Sequence, residues 1–390
     1  MSGRSGKNVL ITFGRSFLTL DLARLMNAGG HNVYIADSVP FPITRFSNSV
    51  QKVFRVPRPK FEPQAYAAEI ARLVRAESID IVIPVHEETD ILAMARDLFP
   101  PECRLLLSEF ETEHRLHNKF EYQVLLDTLG LPTLKYAQVR SAAEFAALDF
   151  DKPFALKQVY SRGSQQVYKV DPGQMPEGLQ FDPDNPWLAQ EWLKGDKYCT
   201  YSVCHEGRIY AHAIYPVRYA INGQSCLTFE PVEHSGITDW VTKRVKETNF
   251  TGQIGFDFIE DSERGLFTIE CNPRATSGIL MFEPHNRVDL AFFGENDDVI
   301  TPDAGARKMI GPGMLLYGWR KSSLEGNTLR GFVRDFRQTD EIITRRDDIG
   351  PLLGIPFALG NIVQNSMRYR VGLAEGFMHD HEWDGLRISL

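Results

Sequence analysis

The chain has 390 residues, 43% of them hydrophobic, so it can bury a large core and is long enough for two or three packed units. Its net charge of −8 argues against a dedicated nucleic-acid binder, which needs a basic stripe, but leaves room for a local basic pocket that takes small anions. The opening Met1 to Lys7 is followed by no apolar leader core, and no apolar run approaches the ~18–20 residues of a bilayer span, so no membrane partner is expected and the expected location is the cytoplasm.

Taken in order, Lys7 to Phe13 reads as a buried parallel strand broken by Gly14. A helix follows with Phe17, Leu18, Leu22, Leu25 and Met26 on one face, ended by Gly29-Gly30. A second strand, Val33 to Ala36, closes at Asp37, and this opening predicts a doubly wound parallel α/β sheet. The alternation continues with a helix over Glu69–Arg75, a strand over Ile79–Pro84 and a helix over Glu87–Arg96, which gives a first domain over 1–115. The first turn could suggest dinucleotide binding, with Asp37 on a ribose. It has one glycine where the fingerprint needs three, and Arg15 and Phe17 would block a pyrophosphate.

A helix over Asn118–Leu129 stops at Gly130 and Pro132. Strands then dominate: Phe154–Lys157, Gln166–Val170, Trp187–Glu191, Tyr198–His205 and Arg208–Val217, so this part is expected to be α+β. Beyond residue 300 the text is mixed and Arg-rich, with a helix-like stretch at Leu324–Phe336. Cys103, Cys199, Cys204, Cys226 and Cys271 are odd in number and form no CxxC pair, which argues for packed thiols over disulfides or zinc.

The strongest chemical signal lies at 252–278. Gly255-Phe256-Asp257-Phe258-Ile259 alternates as a strand, and a second strand, Leu266 to Asn272, runs back against it and ends at Pro273-Arg274. Glu270 and Asn272 are two residues apart and share a face, which Asp257 joins from the paired strand. Two carboxylates and an amide oxygen are hard ligands that suit Mg²⁺, an ion that takes few protein ligands and completes its shell with phosphates. Cys271 lies between two of these residues and points to the opposite, core side.

Gly-Phe-Asp-Phe at 255–258 with Ile-Glu-Cys-Asn-Pro-Arg at 269–274 resembles the metal-binding hairpin of ATP-grasp enzymes, most of all the carbamoyl phosphate synthetase large-subunit and biotin carboxylase branch. The resemblance covers roughly residues 7–295. It implies that Asp257, Glu270 and Asn272 bind Mg²⁺ (or Mn²⁺) and that Arg274 stabilises the transferring phosphoryl group through its donor fork. It implies also that Lys119 and Lys157 contact ATP, and that the loop Ser161, Arg162, Gly163, Ser164, Gln165 covers the phosphates. The stretch Ala189–Gly195 resembles the hinge where adenine docks, with Glu191, Trp192 and Leu193 offering main-chain groups. The family places a ribose-binding glutamate four residues after the hinge leucine; this chain has Lys197 there, with Asp196 beside it as the substitute.

The implied domains are 1–115 (α/β, ahead of the grasp), 116–192 and 193–295 (the two halves of an α+β grasp), and 296–390 packing on them. The implied reaction is an ADP-forming ligation: a carboxylate attacks the γ-phosphate, and an amine or thiol displaces phosphate from the acyl phosphate. Alternatives are a grasp enzyme using bicarbonate or another small acceptor, and a nucleotide-binding regulatory module without turnover. Small carboxylates and amines are the expected partners, with a homodimer possible by likeness. Arg218, Arg320 and Arg330 are candidate carboxylate holders, and His86 or Glu87, at a strand end, candidates to meet the amine. His114, His117 and the cluster His379-Asp380-His381 are expected to face solvent.

Overall fold

The computed structural model describes residues 6–161, 167–221, 225–320 and 328–388. Near-continuous apolar runs build the first sheet, as expected for strands covered on both faces. Its strands are β1 (Asn8–Thr12), β2 (Asn32–Asp37), β3 (Lys52–Arg55), β4 (Ile81–Ile83) and β5 (Arg104–Leu105), all parallel in the order β3-β2-β1-β4-β5. Helices α1 (Phe17–Ala28), α2 (Pro63–Ala76) and α3 (Glu88–Met94) lie between the strands, and α4 (Phe110–His117) and α5 (Lys119–Thr128) follow. Helix α2 starts six residues before the predicted Glu69 because Pro63 serves at the first helical position, where its missing N–H costs nothing. The sequence reading missed β3, β5 and α4, which are short and carry too few apolar residues to show a period.

The turn after β1 is closed to a dinucleotide. Phe13 adopts a left-handed φ of 55°, a conformation that costs a non-glycine residue ~1–2 kcal/mol. Arg15 folds onto Asp37 (Nη2 to Oδ1, 2.6 Å) and onto Asp380 (Nη1 to Oδ1, 2.8 Å), so Asp37 holds an arginine rather than a ribose.

Two antiparallel four-stranded sheets follow. The second sheet has β6 (Tyr136–Val139), β7 (Phe154–Gln158), β8 (Val167–Val170) and β9 (Trp187–Glu191) in the order β6-β9-β7-β8. Long β10 (Asp196–His205) and β11 (Arg208–Pro216) enter the third sheet, then come the short β12 (Ala220–Ile221), β13 (Ser225–Cys226) and β14 (Thr228–Phe229). The hairpin β15 (Gly252–Asp261) and β16 (Gly265–Asn272) completes the third sheet, in the order β11-β10-β15-β16. Ile237, Val241 and Val245 of the helix Ser235–Glu247 pack on it with Phe256, Phe258 and Cys271, which puts Cys271 in the core as expected.

Strands β17 (Lys308–Met309) and β18 (Asp340–Glu341) join β14 in a small sheet. The helix-like stretch predicted at 324–336 appears as Leu329–Gln338, and residues 324–327 lie outside the described ones. Buried Arg24 of α1 ties this region down, donating to the carbonyls of Ile342 (2.7 Å) and Ile343 (2.9 Å) and to Asp348 (2.8 Å). The helix Gly350–Tyr369 buries Gly354 and Asn365 but exposes an apolar face of Leu352, Leu353, Phe357, Leu359, Val363 and Met367. Among the described residues no helix is long and apolar enough to cross a membrane.

The histidines differ from expectation. His117 and His381 are buried, as is Asp380. The segment from Phe377 to Trp383 lies over the ends of β1, β2 and β4, where Asp380 takes Arg15, His381 reaches Glu88 (3.3 Å) and the Trp383 N–H donates to Glu87 (2.9 Å). A buried carboxylate needs a partner, and each of these acids has one.

Candidate active site

The β15–β16 hairpin positions the acids. Asp257 stands opposite Glu270 and Gly255 opposite Asn272, so all three polar side chains leave the same face. Past this point the register slips and Ile269 has no opposite number; its carbonyl accepts Lys157 Nζ at 3.1 Å. Gly255 is obligatory here, since a Cβ would lie 2.4 Å from Thr276 and 2.6 Å from the Thr200 carbonyl.

Cations gather on the acids. Buried Lys119 lies 3.8 Å from Glu270 and donates to the carbonyls of Ser161 (2.9 Å) and Val159 (3.3 Å). Arg274 donates to Asn272 Oδ1 at 2.8 Å. Burial and the charge of Glu270 push the Asp257 carboxyl up to about 6. Burial would raise Glu270 too, but Lys119, Lys157 and Arg274 outweigh it and hold this carboxyl below its usual range. Burial lowers Lys157 to about 8, and Glu270 opposes that shift. Two crowded carboxylates with an amide oxygen beside them form a donor set that fits a hard divalent cation.

The acids face a cleft between the second and third sheets. One side is Ala155 and Lys157 of β7 with Val167 of β8; the other is Cys199, Asp257, Phe258 and Glu270. Gln190, Glu191, Trp192 and Leu193 close its end where the chain crosses between the sheets. The Glu191 N–H is spent on the Lys135 carbonyl (2.8 Å). Gly195 lets the crossing pass close to β15, for a Cβ there would meet the Glu260 carbonyl at 2.2 Å. Lys197 lines the cleft, whereas Asp196 is exposed and outside its lining.

Past the acids the cleft opens into a second chamber that also touches Lys119, Ser161, Asn272, Arg274 and His86. Glu87 does not line it. This residue is buried behind Arg274 (3.8 Å) and pairs with His117 Nε2 at 2.9 Å, while His117 Nδ1 meets Asp90 at 3.0 Å. Glu87 therefore steadies Arg274, and the sequence reading, which put it against an amine, missed the relay of Glu87, His117 and Asp90. An acid doublet directly after an apolar strand was its one visible sign. Arg218 stands apart, exposed and paired with Glu230 at 2.6 Å in a separate depression. Gly163 and Ser164 lie outside the described residues, and Ser161 lines the second chamber.

No protein-family model and no curated protein sequence matches the chain. Solved structures do. N5-carboxyaminoimidazole synthetase from Staphylococcus aureus, complexed with ADP, superposes with a TM-score of 0.64 at 13% identity over 80% of this chain and 85% of that one. L-amino acid ligase from Bacillus licheniformis gives 0.59 at 15% identity over 80% and 81%. Biotin carboxylase from Campylobacter jejuni gives 0.56 at 13% over 70% and 66%. All three are ATP-grasp enzymes, and at such identities the likeness establishes shared architecture.

Proposed function

We propose that this chain, which has the ATP-grasp fold, is an Mg²⁺-dependent, ADP-forming ligase that joins a small carboxylic acid to an amine, or to a thiol, through an acyl phosphate. One observation carries the reading: Asp257, Glu270 and Asn272 leave one face of a hairpin into a cleft shared with Lys119, Lys157 and Arg274. Residues 1–115 form the α/β unit, 116–192 and 193–295 the two halves of the grasp, and 296–390 the C-terminal region.

In this reading Asp257, Glu270 and Asn272 hold the metal, which supplies charge neutralisation at the phosphates when bound. Lys157 and Lys119 face the phosphates with Ser161. Trp192 and Leu193 offer main-chain groups to adenine after Glu191. Lys197, lining the cleft, is better placed for the ribose than Asp196. Arg274, held by Asn272 and backed by Glu87, orients the carboxylate in line with the γ-phosphorus. A carboxylate oxygen forms the new O–P bond as the bond to ADP breaks; the amine then attacks the acyl carbon, loses a proton and releases phosphate.

Measuring ADP and phosphate release from ATP with pooled amino acids and small carboxylates tests this. Carboxylate-stimulated release is expected; binding of Mg·ATP without turnover across a broad panel would establish a regulatory module instead. We also read the chain as a cytoplasmic homodimer. The apolar face of the helix Gly350–Tyr369, whose Leu353 and Met367 are 71% and 75% exposed, would meet its copy.

A further inference from the structure

The geometry points to a substrate class for the second chamber: a monocarboxylic acid with an apolar alkyl or aromatic body and no second charged group. This assignment rests on the ligase reading for its carboxylate end. At that end the lining carries Lys119 and Arg274 beside the acids. Elsewhere the walls include Phe13, Phe17, Leu280, Ile310, Phe377 and Met378, and also Ser225 and Ser277. Phe377 stands 5.6 Å from the Phe13 ring and 6.5 Å from the Phe17 ring, which makes an aromatic corner from the turn into α1 and the distant C-terminal segment. Phe17, Phe377 and Met378 are only partly buried, so they present apolar surface to the chamber that an apolar ligand would remove from water.

Several polar groups near that corner are already engaged. Arg15, the nearest cation in sequence, is buried and shared by Asp37 and Asp380. The Ser16 hydroxyl accepts the Leu18 N–H at 3.1 Å, capping α1 from within. His381 is held by Glu88 and packs its ring against Phe13 (4.6 Å). Among the described residues, no lysine or arginine lines the aromatic corner, where the His86 ring packs on Phe13 at 4.5 Å. A phosphate or second carboxylate placed there would lose hydration with no lysine or arginine to compensate its charge, which disfavours it. Phosphorylated sugars and nucleotides are therefore disfavoured as the acid relative to one with an alkyl or phenyl body.

The test is calorimetric binding to the full chain with MgADP present, over straight-chain acids from butyrate to octanoate, with 3-phenylpropionate, succinate and ribose 5-phosphate. Each added methylene is expected to tighten Kd about fourfold until the chamber fills. Phe377→Ala, and independently Phe17→Ala on a different element, should reduce that gain to less than about twofold per methylene, with MgADP affinity unchanged. The assignment is overturned if succinate or ribose 5-phosphate binds more tightly than hexanoate, if Kd ignores chain length, or if hexanoate fails to bind up to its solubility. A graded series without carboxylate-stimulated ADP release would sink the ligase reading and leave the chamber's apolar preference standing.

Discussion

Asp380→Asn removes one charge from the joint between the C-terminal segment and the first sheet while keeping the side chain's shape. The carboxylate receives Arg15 Nη1 at 2.8 Å, Arg15 Nη2 at 3.1 Å and the Ser38 hydroxyl. Breaking a buried ion pair outright costs about 3–5 kcal/mol. Arg15 keeps Asp37 at 2.6 Å, however, so its charge stays compensated, and the loss is closer to one charge-assisted hydrogen bond, about 2 kcal/mol. That is roughly a 30-fold rise in local opening. Hydrogen exchange reads it directly: the Lys60 amide, bonded to the Asp380 carbonyl, and the Trp383 amide, bonded to Glu87, should exchange about 30-fold faster. The Phe256 amide in β15 should not change. Burial would raise the Asp380 carboxyl, but Arg15 and His381 outweigh it and hold it well below the usual range. Its stabilisation is thus fully present above the unfolded value of about 3.9 and lost as pH falls through the folded one. The gap between the two proteins should be full at neutral pH and close below about pH 4. Unchanged protection at Trp383, or a gap that widens in acid, would refute the reasoning.

Glu270→Gln should lower carboxylate-stimulated ADP release by at least about 100-fold with the folded circular dichroism spectrum retained; an active variant would count against the metal assignment. Asp21 is buried near Arg345 (2.9 Å), and burial pushes its carboxyl up to about 6. Its contribution to stability is full below the unfolded value of about 3.9 and lost as pH rises through the folded one. In urea unfolding, Asp21→Asn should therefore gain on the parent between about pH 4 and pH 8, and a shift in the opposite direction would contradict the burial argument. Leu353→Asp or Met367→Asp should turn a dimer into a monomer in light scattering; an unchanged mass would remove the exposed helix face from the interface.

Legibility in the sequence followed the range of the interactions. Asp257, Glu270 and Asn272 were readable because a strand's period of two is a local rule, and their register bears it out. The first sheet was readable for the same reason, through the apolar runs of β1, β2 and β4. The relay of Glu87, His117 and Asp90 has no period, and its members come from two helices and the turn ahead of the first. The tail cluster was misread as solvent-facing because histidine and aspartate are usually exposed. Phe377, Met378 and Trp383 around it were the available hint, since a tail rich in large apolar groups seeks cover. Arg218 looked attractive on a strand end, yet nothing in a sequence tells which side of a twisted sheet such an arginine will take.

The pairing of Arg15 with Asp380 spans 365 residues. At a synthesis rate of about 5–20 residues per second, the amino-terminal sheet waits roughly 20–70 s for the piece that neutralises its inner arginine. During translation that edge stays wet and unfinished, so the acid chamber can be assembled only after Asp380 has been made and has folded back.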